Sequence, residues 1–322
     1  MRIARDLTEL ADPGAGSVVS IGFYDGVHLG HQALISSVLE RARAGGLTTT
    51  VVTFDRHPAQ VLRPESAPLL LCDLDQKLEL LAGTGIDQTL VIHFDEARAH
   101  ESAEHFVRDT LVGGLGAKVV VVGEDFHFGY RRSGNVELLG DMGAELGFEV
   151  VGHHLVGMDW TDARPELQVS STAIRRALVE GRLSDANEML GRAHEMRGPV
   201  VDGDKRGRTI GFPTANVAIR SEILLPADGI YAGRLERPSG DVLPAAIYLG
   251  TRPTFYEDAP ASLLEVHCLD WEGDLYGEDV RVHFEHRLRG DARFDTIEEL
   301  TAQLAIDCQR SKELLARTGG AR

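Results

Sequence analysis

Residues 21–35 read IGFYDGVHLGHQALI and join a predicted β-strand to a predicted α-helix. The run SVVSI at residues 17–21 is short and rich in β-branched side chains, and the apolar residues from Ala33 onward recur at helical spacing. His28 and His31 therefore fall at a strand-to-helix turn. Such a turn offers unpaired backbone N–H groups and the positive end of the helix dipole, and α/β proteins bind phosphate there. The stretch predicts an α/β fold with a phosphate site at this turn.

The spacing of the two histidines admits two interpretations. In the first, one histidine caps the helix and the other lies on the surface. In the second, both donate hydrogen bonds to an anion, because Gly30 removes a side chain that would keep a ligand from the backbone and Asp25-Gly26 supplies the preceding turn. The pattern His-x-Gly-His favours the second interpretation.

Predicted strands and helices alternate from the N-terminus to about residue 185. This alternation is typical of a parallel sheet covered by helices, so we predict a Rossmann-like α/β domain over residues 1–185. Its helical segments end on glycine, the residue that most readily adopts a positive φ at a helix end. The predicted elements are SVVSIGF, HQALISSVLERARAGG, TTTVVTF, DQKLELLAGTG, QTLVIHF, AEHFVRDTLVGGLG and KVVVVG.

The pattern changes after residues 170–198, which read as two short helices and a linker. Strand-like segments then follow one another with Gly, Pro and Asp between them, which predicts a small antiparallel β-barrel. The C-terminal segment begins with the capping pattern Thr296-x-x-Glu299 and is amphipathic, so we predict one closing helix on the barrel. We expect a second domain over residues 186–322.

Composition and charge limit the classes of function. The chain has 322 residues, of which 43% are hydrophobic, enough for two cores. Its 33 basic and 50 acidic side chains give a formal net charge of −17, which repels polyanions, so nucleic acid is not an expected partner. Cys72, Cys268 and Cys308 are too far apart for a disulfide framework or a zinc cluster. The sequence shows no apolar leader and no apolar run of bilayer length, so we expect a cytoplasmic protein without membrane contact. Homo-oligomerisation is left open.

The segment VSSTAIR, residues 169–175, places three hydroxyl side chains at a predicted helix start, with Arg175 one turn further on. These groups either converge on one anion or form a plain N-cap beside a solvated arginine. The hydroxyl residues are Ser170, Ser171 and Thr172.

A further candidate lies after the predicted strand KVVVVG, which ends at Gly123. Asp125 then emerges at the carboxyl edge of the sheet, where α/β folds place ligands. Phe126 and Phe128 follow it and either contact a ring of the ligand or belong to the core.

The stretch GFYDGVHLGH, residues 22–31, resembles the His-x-Gly-His signature of the nucleotidyltransferase superfamily. TFDRHP (53–58), VVGEDFHFGYRRSGN (121–135) and VSSTAIR are similar to companion motifs of the FMN adenylyltransferase module of bacterial bifunctional riboflavin kinase/FAD synthetases. The chain departs from the pattern at Phe23-Tyr24 and at Arg56, where proline is common. The resemblance implies ATP binding by Gly22, Asp25, His28, Gly30, His31, Ser170, Ser171, Thr172 and Arg175, and flavin binding by His57, Asp125, Phe126 and Phe128.

The reaction implied for this half needs no general base, because the phosphate of FMN is already an anion when it attacks the α-phosphate of ATP. Positioning and charge neutralisation must carry the catalysis. We expect His28, His31, Arg175 and a Mg²⁺ ion to hold the triphosphate, with Asp25 orienting the loop.

The second half contains a Gly-rich basic segment, GDKRGR at residues 203–208, which predicts a flexible loop against a phosphate or a solvated hairpin. Beyond it, Thr214 and Asn216 offer neutral oxygen ligands suited to a Mg²⁺ ion already carried by ATP phosphates. Alternation along the predicted strand LLEVHCL turns Glu265 and His267 to the same side.

GRTIGFPTANV, residues 207–217, resembles the Pro-Thr-Ala-Asn signature of riboflavin kinases, and LEVHCLDWEGDLYG (264–277) and LRGDARF (288–294) are similar to that family in the same order. A ribityl hydroxyl must lose its proton as it bonds to the γ-phosphate, so this reaction benefits from a base, and Glu265 is the candidate. The resemblance implies phosphate binding by Gly203, Lys205, Gly207 and Arg208, and flavin binding by Arg289 and Phe294.

We interpret the chain as an enzyme that phosphorylates riboflavin and then adenylylates FMN to FAD, with flavins as substrate and product and Mg²⁺ accompanying ATP. One alternative keeps only the kinase, with the first half a binding or regulatory module. Another is a flavin-binding regulator without turnover. A carboxylate base has no use in a binding protein, so we favour the bifunctional enzyme.

Overall fold

The computed structural model describes residues 1–10, 14–153, 169–203, 206–250 and 263–318. Packing divides the chain into two compact units, Met1–Ser171 and Thr172–Arg322. The boundary expected between residues 185 and 186 stays a prediction.

The first unit contains a parallel sheet, which confirms the predicted Rossmann-like class. Within the described residues the sheet has six strands in the spatial order β1-β4-β3-β2-β5-β6, and every neighbouring pair is parallel. The strands are β1 (Arg2–Ala4), β2 (Ser17–Ile21), β3 (Thr48–Phe54), β4 (Gln88–Ile92), β5 (Ala117–Gly123) and β6 (Glu149–His153).

Strand β2 lies in the middle of this sheet, and all five of its residues are buried. It pairs with β3 on one side and with β5 on the other, so the strand order reverses next to β2. In open parallel sheets, ligands bind outside the carboxyl ends of the strands at such a switch point. The loop that follows β2 therefore begins where this fold builds binding sites.

The described part of the first unit has six α-helices: α1 (Leu29–Gly45), α2 (Pro58–Leu62), α3 (Leu74–Gly83), α4 (Glu96–Ala99), α5 (Ala103–His105) and α6 (Val136–Leu146). Helix α1 ends at Gly46 (φ 61°) as predicted, and α6 ends in the same way at Gly147 (φ 82°), whereas the predicted helix α3 ends at Thr84 (φ −77°). The helix predicted after α4 differs in form. Beyond α5 the backbone continues as a wider π-helix over Phe106–Gly114.

The second unit begins with α7 (Ser171–Val179), whose first residue still belongs to the first unit, and α8 (Leu183–Leu190). The linker predicted after α8 is wrong, because a strand starts at His194. Six described strands close into an antiparallel barrel in the order β10-β11-β8-β7-β12-β9. They are β7 (His194–Val201), β8 (Ala215–Val217), β9 (Gly229–Glu236), β10 (Val242–Gly250), β11 (Leu263–Cys268) and β12 (Asp279–Arg289).

Two more helices complete the described part of this unit, the short α9 (Arg206–Thr209) and the C-terminal α10 (Ile297–Thr318). The hydroxyl of Thr296 accepts a hydrogen bond from the backbone N–H of Glu299 at 3.1 Å, as the capping pattern predicted. Leu315 of α10 packs into a buried cluster with Ala232 and Leu269 of the barrel unit. The predicted closing helix is thus confirmed.

The three cysteines are free thiols, as expected. Among the helices of the described ranges, none has the length and apolar character needed to cross a bilayer.

Candidate active sites

The loop after β2 enters α1 at His28, which is the N-cap residue of that helix. The Nδ1 atom of His28 accepts a hydrogen bond from the backbone N–H of His31 at 3.3 Å. The two imidazole rings are stacked, with 3.6 Å between ring centroids and 19° between ring planes. A capping role, one of the two interpretations of the sequence, therefore applies to His28, and the cap brings both rings to the helix N-terminus.

His31 differs from His28 in its hydrogen bonding. Its Nδ1 atom is buried and has no hydrogen-bond partner among the described residues. Burial and the nearby charges of His28 and Lys77 lower the pKa of His31 well below its usual 6.5, so the ring is neutral at pH 7. A buried polar atom in this state at a helix N-terminus points to contact with a ligand.

The backbone of the loop is strained. Tyr24 (φ 57°) and Val27 (φ 38°) have positive φ although neither is glycine. The Tyr24 hydroxyl donates to Oγ of Ser20 at 2.6 Å, and its ring centroid lies 5.0 Å from that of His31. Strain of this kind persists where the surroundings over-determine the conformation, and it is concentrated at functional sites.

Asp25 orients the loop, as the sequence analysis expected. Its buried carboxylate accepts hydrogen bonds from the backbone N–H of Leu71 at 2.9 Å and of Cys72 at 3.3 Å. The Ser171 hydroxyl donates to the backbone carbonyl of Asp25 at 3.0 Å, so the structure brings the VSST segment to this loop. Direct contact of Asp25 with ATP stays a prediction.

The other predicted phosphate ligands of the VSSTAIR segment are Ser170, Thr172 and Arg175. Helix α7 begins at Ser171, and Thr172 and Arg175 lie on it within the second unit. The convergence of Ser170, Thr172 and Arg175 on the phosphates stays a prediction.

Two glycines of the signature allow close packing. A Cβ at Gly30 would lie 3.1 Å from the carbonyl oxygen of Val169 and 3.2 Å from the His28 ring, and a Cβ at Gly22 would lie 3.0 Å from the Tyr24 ring. The space that was predicted to admit a ligand beside Gly30 is therefore filled by protein atoms. The role of both glycines toward ATP stays a prediction.

A cavity of about 560 Å³ lies at the carboxyl ends of β2, β3 and β5. The rings of Phe126 and Phe128 stack inside its wall with centroids 5.4 Å apart, and both also pack against the core of the sheet. The core interpretation of these residues therefore holds, and their contact with a ring of the ligand stays a prediction. Phe94 adds an aromatic surface for which the sequence carries no signal, whereas Arg131 and Arg132 at the edge of the cavity stand in the motif VVGEDFHFGYRRSGN. Further lining residues include Phe54, Pro58, Arg63, Arg131 and Arg132.

Two other predicted flavin residues lie near this cavity's strands without lining it. His57 caps α2, since its Nδ1 accepts from the backbone N–H of Ala59 at 3.0 Å, and its ring stands edge-on to Phe23. Asp125 is exposed in the turn after β5. Arg56, the departure from the family pattern, pairs with Asp55 at 3.2 Å. Flavin contact by His57 and Asp125 stays a prediction.

In the barrel, Glu265 of β11 lies opposite Asn216 of β8 in the strand register. The Thr214 hydroxyl donates to the Glu265 carboxylate at 3.1 Å. Leu264 and Val266 fill the barrel interior, so Glu265 and His267 face the other way, as the alternation predicted. The structure therefore assembles a carboxylate, a hydroxyl and a buried amide at one place.

His267 contacts the residues just before Thr214. Its Nδ1 lies 2.7 Å from the carbonyl oxygen of Pro213, and its ring stands edge-on to Phe212. This contact joins residues 54 positions apart, so no local pattern in the sequence could predict it.

The described part of the basic segment is not a hairpin, because α9 starts at Arg206. Gly203 packs so closely on the Asn216 amide that a Cβ would clash with it, and Gly207 packs equally closely on the Phe212 carbonyl. Arg208 is exposed and lines a cavity of about 460 Å³ together with Thr214. Lys205 lies outside the described residues. Phosphate binding by this segment stays a prediction.

Arg289 and Phe294 come together at the end of β12, with 5.9 Å between the guanidinium carbon and the ring centroid. Asp307 of α10, only 3% exposed, forms a two-pronged ion pair with Arg289, with 2.7 Å between Nη2 and Oδ2. Asp307 could not be predicted as a site residue, because nothing in the sequence pattern links a helix residue to a strand residue 18 positions earlier.

The residues present fit Mg²⁺ that arrives with ATP. Within the described ranges, no three His, Cys, Asp or Glu side chains are grouped as a metal site. Thr214, Asn216 and Glu265 instead provide a few oxygen atoms, and Mg²⁺ in ATP-dependent enzymes commonly combines a few protein oxygens with substrate phosphates.

Family models match both parts of the chain in turn. The model for FAD synthetase matches residues 12–172, and the model for riboflavin kinase matches residues 190–315. A protein of Escherichia coli (strain K12), named bifunctional riboflavin kinase/FMN adenylyltransferase, is 37% identical over 319 residues, 99% of each chain. The chain belongs to the bifunctional riboflavin kinase/FMN adenylyltransferase family.

Other members of the family are similarly related. The proteins of the same name from Pseudomonas fluorescens and Bacillus subtilis are 36% and 35% identical, covering 98% and 92% of each chain respectively. As a member of this family, the chain is an enzyme with both an FAD synthetase and a riboflavin kinase domain. The resemblance drawn from the motifs is confirmed, and the kinase-only alternative is disfavoured.

The fold has a counterpart among solved structures. A crystal structure of a protein from Streptococcus pneumoniae, described as a macrolide-efflux protein, aligns with a TM-score of 0.84 at 30% identity, covering 96% of this chain and 98% of that one. The likeness therefore extends over nearly the whole chain.

Proposed function

We propose that the barrel unit phosphorylates riboflavin with ATP to give FMN, and that the sheet unit then transfers an adenylyl group from a second ATP to FMN, giving FAD and pyrophosphate. The observation that carries the proposal is the hydrogen bond from the Thr214 hydroxyl to the Glu265 carboxylate. A hydroxyl nucleophile such as that of riboflavin needs a base, and this pair presents one beside neutral oxygen ligands.

In the kinase step, Glu265 accepts the proton of the ribityl hydroxyl as its oxygen bonds to the γ-phosphorus, and ADP leaves. The Thr214 hydroxyl and the Asn216 amide would hold the Mg²⁺ that accompanies ATP, and that ion would supply positive charge to neutralise the phosphates. Arg208, together with Gly203, Lys205 and Gly207 of the basic segment, contacts the phosphates. Arg289, fixed by Asp307, and Phe294 hold the flavin.

In the adenylyl step, an oxygen of the FMN phosphate bonds to the α-phosphorus of ATP, and pyrophosphate leaves. The N-terminus of α1 attracts the phosphates through its N–H groups and its dipole. Because Nδ1 of His28 accepts a hydrogen bond, Nε2 is the ring nitrogen that can donate, and we assign its N–H to the phosphates. Neutral His31 binds the phosphates next to His28. Asp25, Gly22 and Gly30 shape the loop that carries both histidines.

The remaining phosphate ligands of this step come from the VSSTAIR segment. The bond from Ser171 to the Asp25 carbonyl supports this assignment, because it brings the segment to the signature loop. We assign Ser170, Thr172 and Arg175 to the same triphosphate.

FMN occupies the cavity of about 560 Å³ at the strand ends. Its size fits a single ligand of this class, and its phenylalanine rings suit a flat flavin ring. The arginines Arg63, Arg131 and Arg132 at its edge concentrate positive charge in a chain of net charge −17, which favours a substrate with a phosphate group. His57 and Asp125 border this site in our proposal.

We place the enzyme in the cytoplasm, without nucleic-acid or membrane partners. Its three free thiols fit a reducing compartment, and its acidic net charge disfavours binding to polyanions.

The proposal is tested by incubating the purified chain with riboflavin, ATP and Mg²⁺ and separating FMN from FAD by chromatography over time. We expect FMN to appear first and FAD to follow. Accumulation of FMN alone, with no FAD when FMN is supplied directly, would favour the kinase-only enzyme. Tight flavin binding without either product would favour the regulator.

A further inference from the structure

Lys77 of α3 is a buried lysine that neither step described above uses. Its residue is only 3% exposed, and lysines are seldom buried to this degree unless their ammonium group is well bonded. The sequence pattern marks Lys77 only as part of the predicted helix DQKLELLAGTG.

The ammonium group of Lys77 bonds to two loops of the first unit. It donates to the backbone carbonyl of Phe23 at 3.1 Å and to that of Phe54 at 2.8 Å. It also lies 4.1 Å from the centre of the Phe23 ring. Phe23 belongs to the signature loop after β2, and Phe54 is the last residue of β3.

The two loops meet at this point. The ring of Phe23 stands edge-on to the ring of His57, with 4.8 Å between centroids, and the Thr53 hydroxyl adds a second donor to the Phe23 carbonyl at 3.1 Å. The segment just before α3 holds the signature loop from another side, through the bonds from Leu71 and Cys72 to Asp25. Lys77 therefore completes a clamp on the backbone that leads to His28.

The charge of Lys77 acts on the same site. Burial lowers the pKa of Lys77 to about 8, and Cys72, Asp25 and Asp55 oppose this effect. Lys77 in turn contributes to the lowered pKa of His31. The titratable groups that face Lys77 are thus Asp25 of the signature loop, Asp55 after β3, Cys72 before α3 and His31 of α1.

We propose that Lys77 is a positioning residue for adenylyl transfer, whose ammonium group holds the signature loop against the end of β3 so that His28 and His31 meet the phosphates. This inference rests on the proposed function of the first unit. Loss of the ammonium leaves the carbonyls of Phe23 and Phe54 with fewer donors and releases the strained loop.

The first test compares Lys77→Met, which keeps the packed stem, with Lys118→Met, which removes an exposed lysine of β5 in the same unit. With FMN supplied, we expect kcat for FAD synthesis to fall about a hundredfold in Lys77→Met, because misplaced phosphate ligands cost rate. Riboflavin phosphorylation by the same sample, and both activities of Lys118→Met, should stay within about twofold. Equal FAD synthesis in Lys77→Met and wild type would overturn the proposal.

A pH profile separates positioning from general loss of structure. The kcat/KM for FMN reports groups of the free enzyme, so in wild type it should fall as pH rises through about 8, where Lys77 loses its proton. This fall should move to higher pH in Lys77→Arg, which keeps its charge, and vanish in Lys77→Met. If kcat/KM falls at the same pH in either variant as in wild type, the fall belongs to another titrating group, and the proposal is contradicted. If Lys77→Met does not fold, the Lys77→Arg profile decides.

Hydrogen exchange provides a readout that does not need turnover. In Lys77→Met we expect the backbone N–H groups of Gly26 and His31, which bond to Cys72 and His28, to exchange about tenfold faster, with the middle of α1 unchanged. Unchanged exchange rates of these two N–H groups would show that Lys77 does not hold the loop. If wild type makes no FAD, the adenylyl assignment fails, and the exchange result still decides whether Lys77 holds the loop.

Discussion

The imidazole ring of His28 lies parallel to that of His31, with 3.6 Å between their centroids, and the backbone N–H of His31 donates to His28 Nδ1. In the proposed site His28 has two tasks, because the nitrogen that caps α1 leaves only the other ring nitrogen to face a phosphate. The two histidines therefore respond differently to substitution.

We expect His31→Ala to lower FAD synthesis from supplied FMN about a hundredfold, because a donor that acts on developing phosphate charge is removed. FMN synthesis in the barrel unit should be unchanged. His28→Ala should lower FAD synthesis and also destabilise the first unit by about 1 kcal/mol through loss of the cap. His28→Asn keeps a capping oxygen, so it should restore the stability of the unit but not the rate of FAD synthesis. Chromatographic product analysis and urea unfolding check the two effects, and wild-type FAD synthesis in His31→Ala would contradict the site.

We expect Glu265→Gln to lower riboflavin phosphorylation by about two orders of magnitude or more, because the amide cannot accept the ribityl proton. The amide still accepts a hydrogen bond from Thr214, so the fold should be kept. FAD synthesis from supplied FMN serves as the internal control, and Glu188→Gln on the exposed face of α8 is the matched substitution. Kinase turnover close to that of wild type would remove Glu265 as the base.

We expect Asp307→Asn to raise the KM for riboflavin, because Arg289 loses its charged partner and no longer holds its orientation toward Phe294. Breaking a buried ion pair also destabilises a fold by about 3 kcal/mol. Initial rates at varied riboflavin concentration and thermal unfolding measure the two effects. A variant that is less stable but has an unchanged KM would show that the pair is purely structural.

Lys77 gives a pH prediction whose sign differs between stability and activity. Its pKa falls from 10.5 to about 8 on folding, so the unfolded chain binds more protons between these values and the free energy of unfolding rises with pH there. Relative to Lys77→Met, wild type should gain up to about 3 kcal/mol across this interval. Urea unfolding of both proteins near pH 7.5 and near pH 9.5 tests this. A difference that stays constant or shrinks would show that Lys77 does not titrate in this range.

The extent of the kinase domain can be tested with fragments. The backbone N–H of Ala227 donates to the carbonyl of Leu178 at 2.9 Å, and the Asn187 amide donates to the carbonyl of Phe284 at 2.8 Å. A fragment of residues 172–322 keeps both contacts, whereas one of residues 186–322 loses the first and cuts α8. We expect both to phosphorylate riboflavin and the longer one to melt at a higher temperature. Equal melting temperatures would place the boundary at residue 186.

Much of the fold was predictable because local patterns specify it. The alternation of strands and helices predicted the parallel sheet, and the change after residue 198 predicted the barrel. Errors occurred where a local signal is ambiguous. The segment at His194 reads as a linker because its polar and charged residues carry weak strand character, yet pairing with β12 makes it a strand.

The sequence by itself determined the fold class, the two kinds of phosphate chemistry and the residue types of each site, since motif spacing around turns and strand ends is a local property. Only the tertiary structure decided that His28 caps α1, that Gly30 is packed against Val169, that Lys77 bonds to the Phe23 carbonyl, and that Asp307 pairs with Arg289. Lys77 lies 54 residues from Phe23 along the chain, and Asp307 lies 18 residues from Arg289. Their contacts arise when separate elements pack and exclude water, because an ammonium or carboxylate buried there must find its partner in another part of the chain.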